Sequence, residues 1–230
     1  MIDTPATLAH LTPHIEEFAS YLDQARRESA TVVASSSFQT QSMPLLHLIS
    51  LFGQDIPVHF LDTGFHFAET LAFRNEVRDA LGIRVVVLES SIPLISQRTS
   101  SGMMLWAQST QRCCHLNKVL PLEPILAGAD VWITGVRKDQ SAERSAFEFE
   151  MPGANGVTRI HPMLNWTKPD VWRWISEFDL PRHPLELVGY DSIGCSPCTV
   201  KPSLDDERGG RWEGQNKTEC GLHTTLAKAE

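Results

Sequence analysis

The sequence predicts a doubly wound, mostly parallel α/β sheet. Two observations carry that expectation: four short runs rich in β-branched and aromatic residues are separated by stretches of helical periodicity, and three of the runs end in small polar or charged turns. Strands joined through helices run parallel, since a tight turn joins only antiparallel neighbours. A chain of 230 residues with no break in composition is long enough for one good core. The expected organisation is a single domain over 1–230, with a folded centre at 31–204 and a mobile C-terminal tail at 205–230, where mixed charge and glycine replace the apolar pattern.

Thr12 is placed to cap a first helix with Pro13 in its first turn, and Leu11, Ile15, Phe18, Ala19 and Leu22 recur at helical spacing. This is a packing helix. Thr31-Val32-Val33-Ala34 reads as a buried strand that runs into Ser35-Ser36-Ser37-Phe38-Gln39-Thr40-Gln41-Ser42 and then into an apolar helix from Met43 to Phe52, closed by Gly53. Such a turn sets hydroxyls and backbone N–H groups at a helix N-terminus, where unpaired donors and the helix dipole stabilise an anion. Val58-His59-Phe60-Leu61 is the second strand, ending in Asp62-Thr63-Gly64. Thr70, Phe73, Arg74, Val77, Ala80 and Leu81 form one face of the next helix, Gly82 ends it, and 83–88 is the third strand. Val131-Trp132-Ile133-Thr134 is the fourth, followed by Gly135-Val136-Arg137-Lys138-Asp139-Gln140-Ser141 and Arg144. Thr167-Lys168-Pro169-Asp170 has capping-box spacing ahead of a short amphipathic helix, in which Trp172 and Trp174 read as packing.

Open parallel sheets take ligands beyond the C-terminal ends of their strands. Ser35, Ser36, Ser37, Asp62 and Arg137 all fall on that edge, and hydroxyls, a carboxylate and guanidinium groups on three neighbouring loops suggest a nucleotide site. The net charge of -8 argues against broad nucleic-acid binding, so an anionic ligand needs a local basic pocket. The first residues lack a basic region followed by an apolar run, and no stretch is apolar enough to span a bilayer, so a soluble, cytoplasmic protein without a membrane partner is expected.

In that compartment the five cysteines stay reduced, which favours metal binding or catalysis over disulfides. Cys195-Ser196-Pro197-Cys198 is a C-x-x-C loop that lets two thiolates converge on one centre, and Gly189 and Gly194 before it let the backbone wrap closely. Cys113 and Cys114 are adjacent, so their side chains diverge. Diverging thiols fit a single tetrahedral ion poorly, whereas an iron–sulfur cubane offers separate corners, and a 4Fe-4S cluster is favoured over a zinc staple or four structural thiols. Cys220, the fifth, stands apart.

Read together, these motifs resemble the assimilatory adenylyl-sulfate (adenosine 5′-phosphosulfate) reductases, close relatives of the phosphoadenylyl-sulfate reductases. The resemblance runs from about Val32 to His223. It is carried by the serine loop, Leu61-Asp62-Thr63-Gly64, Cys113-Cys114 with Lys118, Thr134-Gly135-Val136-Arg137 with Gln140-Ser141 and Arg144, Ser192-Ile193-Gly194 with the C-x-x-C loop, Gly210-Arg211-Trp212, and Glu219-Cys220-Gly221-Leu222-His223. Gln39-Thr40 departs from the small residues expected in the serine loop, and Trp212-Glu213-Gly214 lacks the longer tryptophan run of some relatives.

The resemblance implies a Rossmann-like sheet of the adenine nucleotide alpha hydrolase type and a two-electron reduction of activated sulfate to sulfite and AMP, in sulfate assimilation and cysteine biosynthesis. It implies cluster ligation by Cys113, Cys114, Cys195 and Cys198, and Cys220 as the catalytic thiol that becomes an S-sulfocysteine. It assigns Ser35, Ser36, Ser37, Asp62, Lys118, Arg137, Gln140, Arg144, Arg208, Arg211 and His223 to the substrate, with the cations offsetting charge on the phosphosulfate. With no sixth cysteine, an external dithiol such as thioredoxin or glutaredoxin is needed to release sulfite. A homo-oligomer is also implied. Two readings of other kinds remain: an ATP-pyrophosphatase-type tRNA sulfur-transfer enzyme, whose Ser-Gly-Gly-x-Asp-Ser loop is absent here, and a non-enzymatic iron–sulfur or zinc-binding protein. The 3′-phosphorylated nucleotide is the alternative substrate.

Overall fold

A computed structural model of the chain describes residues 4–202 together with Gly210, Arg211 and Leu222. In chain order the elements are α1 (Thr12–Arg27), β1 (Val32–Ser35), α2 (Met43–Phe52), β2 (Val58–Asp62), α3 (Ala68–Leu81), β3 (Val85–Glu89), α4 (Leu105–Gln108), α5 (Thr110–Cys114), α6 (Leu120–Ala127), β4 (Val131–Thr134), β5 (Glu150–Pro152), β6 (Thr158–Ile160) and α7 (Lys168–Glu177). The six strands form one sheet in the order β3-β2-β1-β4-β6-β5. All pairings are parallel except β5 with β6.

Side chains that alternate along each strand feed two cores on opposite faces. Ala34, Val58, Phe60, Val131 and Ile133 meet α1, α2, α3 and α7 on one face. Val33, Leu61 and Trp132 meet Val119, Leu122 and Leu126 on the other. The sheet is therefore covered on both sides, and the helical segment that follows the paired cysteines covers the second face.

Local chemistry explains the end of α3 and the start of α7. Gly82 takes a left-handed φ of 61°, which ends α3 at little steric cost. At α7 the expected capping box forms: Asp170 Oδ2 accepts from the Thr167 backbone N–H at 2.8 Å, and the Thr167 hydroxyl accepts from Asp170 N–H at 3.4 Å. Trp174 is buried in the core, as expected of a packing residue. The start of α1 differs from expectation. A 3-10 turn, Ala6–Leu11, precedes it, so Leu11 is already near-helical at φ −85°, ψ −16° and stands at the cap position. Thr12 is the first residue of α1 and instead ends the 3-10 turn, its backbone N–H donating to the Ala9 carbonyl.

Candidate active site

A cavity of about 170 Å³ opens where β1, β2 and β4 end. Ser35, Ser36 and Ser37 line one wall. Ser35 Oγ accepts from Trp132 Nε1 at 2.9 Å, Ser36 Oγ accepts from the Phe38 N–H at 3.1 Å, and Ser37 Oγ accepts from Gln39 Nε2 at 3.1 Å. Phe38 holds this turn open at a cost. Its φ is 52°, a conformation worth of order 1–3 kcal/mol of strain for a non-glycine residue. Burial of its ring, edge-on to Phe60 with centroids 5.7 Å apart, offsets that strain.

The loop after β4 supplies the facing wall. Gln140 and Arg144 line the cavity and hydrogen-bond to each other. Arg137 and Asp62, both expected at the ligand, do not line it. Arg137 is fully buried, donating through Nε to Asp139 at 2.9 Å and through Nη1 to Gln41 at 2.9 Å. It ties the β4 loop to the serine loop. Asp62 accepts from the Gly64 N–H at 3.0 Å and faces Arg74 at 3.9 Å.

Gln39 and Thr40, the departures noted in the serine loop, also have structural work. Gln39 Oε1 accepts from the Ile193 N–H at 3.0 Å, and the Thr40 hydroxyl accepts from the His183 N–H at 2.9 Å. Longer side chains here bind the serine loop to the segment that leads into the C-x-x-C loop.

Cys113, Cys114, Cys195 and Cys198 line one second, smaller cavity, although Cys114 and Cys195 are 81 positions apart in sequence. Three of the four are buried. The Thr63 hydroxyl stands 3.2 Å from Cys195 Sγ. Burial, and then the neighbouring Cys114, push the Cys113 thiol up to about 11. Cys198 is raised by burial and by Cys195 and Cys114, while Lys118 and Arg211 pull it the other way. Cys113 and Cys198 thus favour the neutral thiol unless positive charge joins them. That donor set fits a cationic metal group. Among the described residues no three His, Cys, Asp or Glu side chains are arranged to hold a single ion, so the thiols line a space and do not converge on a point.

Lys118 and Arg211 line both cavities and form the wall between them. Arg211 Nη1 donates to Ser192 Oγ at 3.5 Å, and a Cβ on Gly194 would fall into its guanidinium group, so glycine at 194 keeps that position open. Arg208, Cys220 and His223 lie outside the described residues. Leu222, two positions past Cys220 in sequence, lines the larger cavity.

His66 and Thr63 were not singled out from the sequence, although both belong to or follow the Asp62-Thr63-Gly64 motif. His66 lines the larger cavity with Nε2 donating to the Leu61 carbonyl at 2.9 Å. Burial lowers its pKa, so the ring is neutral and Nδ1 is a buried acceptor with no hydrogen-bond partner among the described residues. Proximity to the strand-end motif was the available signal for both.

A mostly parallel sheet with a cavity across the C-terminal ends of its central strands is the doubly wound α/β architecture, which takes its ligands at that edge. Comparison with known proteins narrows the class. The profile of the phosphoadenosine phosphosulfate reductase domain matches residues 31–201. The adenosine 5′-phosphosulfate reductase of Geobacillus thermodenitrificans (strain NG80-2) is 39% identical over 198 residues, covering 84% of each chain. Adenosine 5′-phosphosulfate reductase 2 of Bacillus subtilis (strain 168) is 40% identical over 195 residues, 84% of this chain and 83% of that one. In fold, the phosphoadenylyl-sulfate reductase of Candida auris, solved as a phosphate complex, superposes with a TM-score of 0.67 at 22% identity, covering 86% of this chain and 99% of that one. An FMN adenylyltransferase of Candida glabrata, in complex with FMN and an ATP analogue, superposes with a TM-score of 0.60 at 13% identity, over 95% and 81%. The chain belongs to the phosphoadenosine phosphosulfate reductase family, oxidoreductases of activated sulfate.

Proposed function

We propose that the protein reduces adenosine 5′-phosphosulfate to sulfite and AMP with thioredoxin or a similar dithiol as electron donor. The carrying observation is the shared wall: Lys118 and Arg211 line both the cavity at the strand ends and the cavity of four thiols. The nucleotide would occupy the first, its phosphosulfate facing those cations and Arg144. The thiolate of Cys220 attacks the sulfur, forming an S–S bond as the sulfur–oxygen bond to AMP breaks, with the leaving phosphate's charge offset by the neighbouring cations. One donor thiolate then attacks Cys220 Sγ and sulfite departs. The second donor thiol resolves the mixed disulfide, so the donor's two thiols supply both electrons. The presence of Leu222 in the first cavity supports a meeting of the Cys220 motif with the nucleotide.

Cys113, Cys114, Cys195 and Cys198 would hold a 4Fe-4S cluster, and their shared poorly hydrated cavity with two cations at its edge supports that assignment. When bound, the cluster would supply a compact charge centre beside the nucleotide and pin the two ligand-bearing segments together.

In the reductases this chain resembles, the four-cysteine pattern goes mainly with the substrate lacking a 3′-phosphate, which favours adenosine 5′-phosphosulfate over the 3′-phosphorylated nucleotide. Sulfite release by anaerobically purified protein with thioredoxin tests the assignment: the specificity constant for adenosine 5′-phosphosulfate is expected to exceed that for the 3′-phosphorylated nucleotide. Equal or better use of the latter would move the protein to the alternative substrate, and no sulfite from either would remove the activity.

A further inference from the structure

α5 passes directly into a π-helical turn, His115–Val119. Such turns are uncommon and cluster at functional sites. Within it, Asn117 is 1% exposed and meets Gln97, also 1% exposed. Two buried primary amides destabilise a core unless they are bonded, and an apolar pair would fill the space without that requirement.

Here the bonding is extensive. Gln97 Nε2 donates to Asn117 Oδ1 at 2.8 Å and to the Ile92 carbonyl at 2.9 Å. Asn117 Nδ2 donates to Gln97 Oε1 at 2.6 Å, to the Cys113 carbonyl at 3.0 Å and to Cys113 Sγ at 3.6 Å. An amide nitrogen has two hydrogens. One goes to Gln97, and the other is shared between the carbonyl and the sulfur of Cys113.

We propose that Asn117, clamped by Gln97, is a positioning residue for Cys113, fixing the direction of its sulfur and donating an N–H···S hydrogen bond that tunes its bond to iron. The proposal rests on the cluster reading above. Adjacent cysteines diverge, so turning both into one cavity requires a restraint on at least one of them. Asn117, four residues on, supplies it to Cys113, as the Thr63 hydroxyl contacts Cys195 Sγ. Groups bonded to a metal's ligands commonly change metal retention by about 10–100-fold when removed.

The test uses the full chain, purified anaerobically, as wild type, Asn117→Leu and Gln97→Leu. Iron loss to a chelator and the Fe–S(Cys) stretching bands in resonance Raman spectra are the readouts. Asn117→Leu should lose iron at least about tenfold faster than wild type. Its bands should move to higher frequency, because the sulfur no longer accepts a hydrogen bond. Gln97→Leu frees the Asn117 amide without removing it, and its bands should move part of the way. That variant also keeps the test open if Asn117→Leu does not fold, since unshifted bands in it count against the proposal. Faster iron loss in both variants with unshifted bands would reduce the pair to a structural peg. A colourless wild type sinks the cluster reading and this proposal with it, whereas a brown wild type whose variants match it sinks the proposal alone.

Discussion

The two cavities are built by opposite strategies. The larger cavity is assembled where neighbouring parallel strands end: register sets Ser35 beside Thr134, and Leu61 lies near the end of β2 next to them. The thiol cavity joins a helix end to a distant loop, and its geometry depends on single side-chain bonds such as those of Thr63 and Asn117. One cavity is a property of the fold. The other is a property of particular residues, and their junction is two cations.

The largest effect is expected at Cys220, which lies outside the described residues. Cys220→Ser should keep the brown colour and still bind nucleotide yet lose nearly all turnover, because a serine hydroxyl is essentially un-ionised at neutral pH. Substantial sulfite production by that variant would take Cys220 out of the mechanism. Mass spectrometry of wild type given substrate without thioredoxin should find one added sulfonate, on the peptide containing Cys220.

A smaller effect is expected at the junction. Lys118→Gln removes one of the two shared cations while keeping a polar, hydrogen-bonding side chain, and kcat/KM should fall by roughly 10²-fold, the scale of losing one preorganised charge-stabilising donor. Steady-state kinetics checks this. A loss of colour without a kinetic effect would mean that Lys118 serves the thiols and not the nucleotide.

The smallest effect lies outside both cavities. Thr167→Ala opens the α7 capping box and should cost about 1 kcal/mol in a urea titration, with colour and turnover unchanged. A change in sulfite release would show that the α7 end, where Asp139 accepts from the Lys168 N–H at 2.8 Å, reaches the site through Arg137.

What the sequence made legible follows the same division. β1, β2, β4 and α2 were readable because β-branched runs, apolar helices and glycine stops are local signals. β5 and β6 were not, since three residues each carry too little alternation to register a period. The serine loop and the cysteines stood out by residue type. Arg137 reads as a ligand group from its place after β4, and its side chain bonds both its near neighbour Asp139 and Gln41, 96 residues away, a distant partner that the local sequence does not reveal. The π-helical turn and the Gln97–Asn117 pair have no sequence signature, because they arise from contacts 20 residues apart that only tertiary packing creates. Gln39 and Thr40 looked like departures until the segment they hold was in place.

The proposed assignment places a 4Fe-4S cluster on the four clustered thiols, beside the larger cavity. Iron and acid-labile sulfide analysis with Mössbauer spectroscopy on anaerobically purified protein tests it most directly. About four irons and four sulfides per chain are expected, with the signature of a cubane and loss of both on Cys195→Ser or Cys198→Ser. A colourless protein carrying one zinc per chain would contradict it.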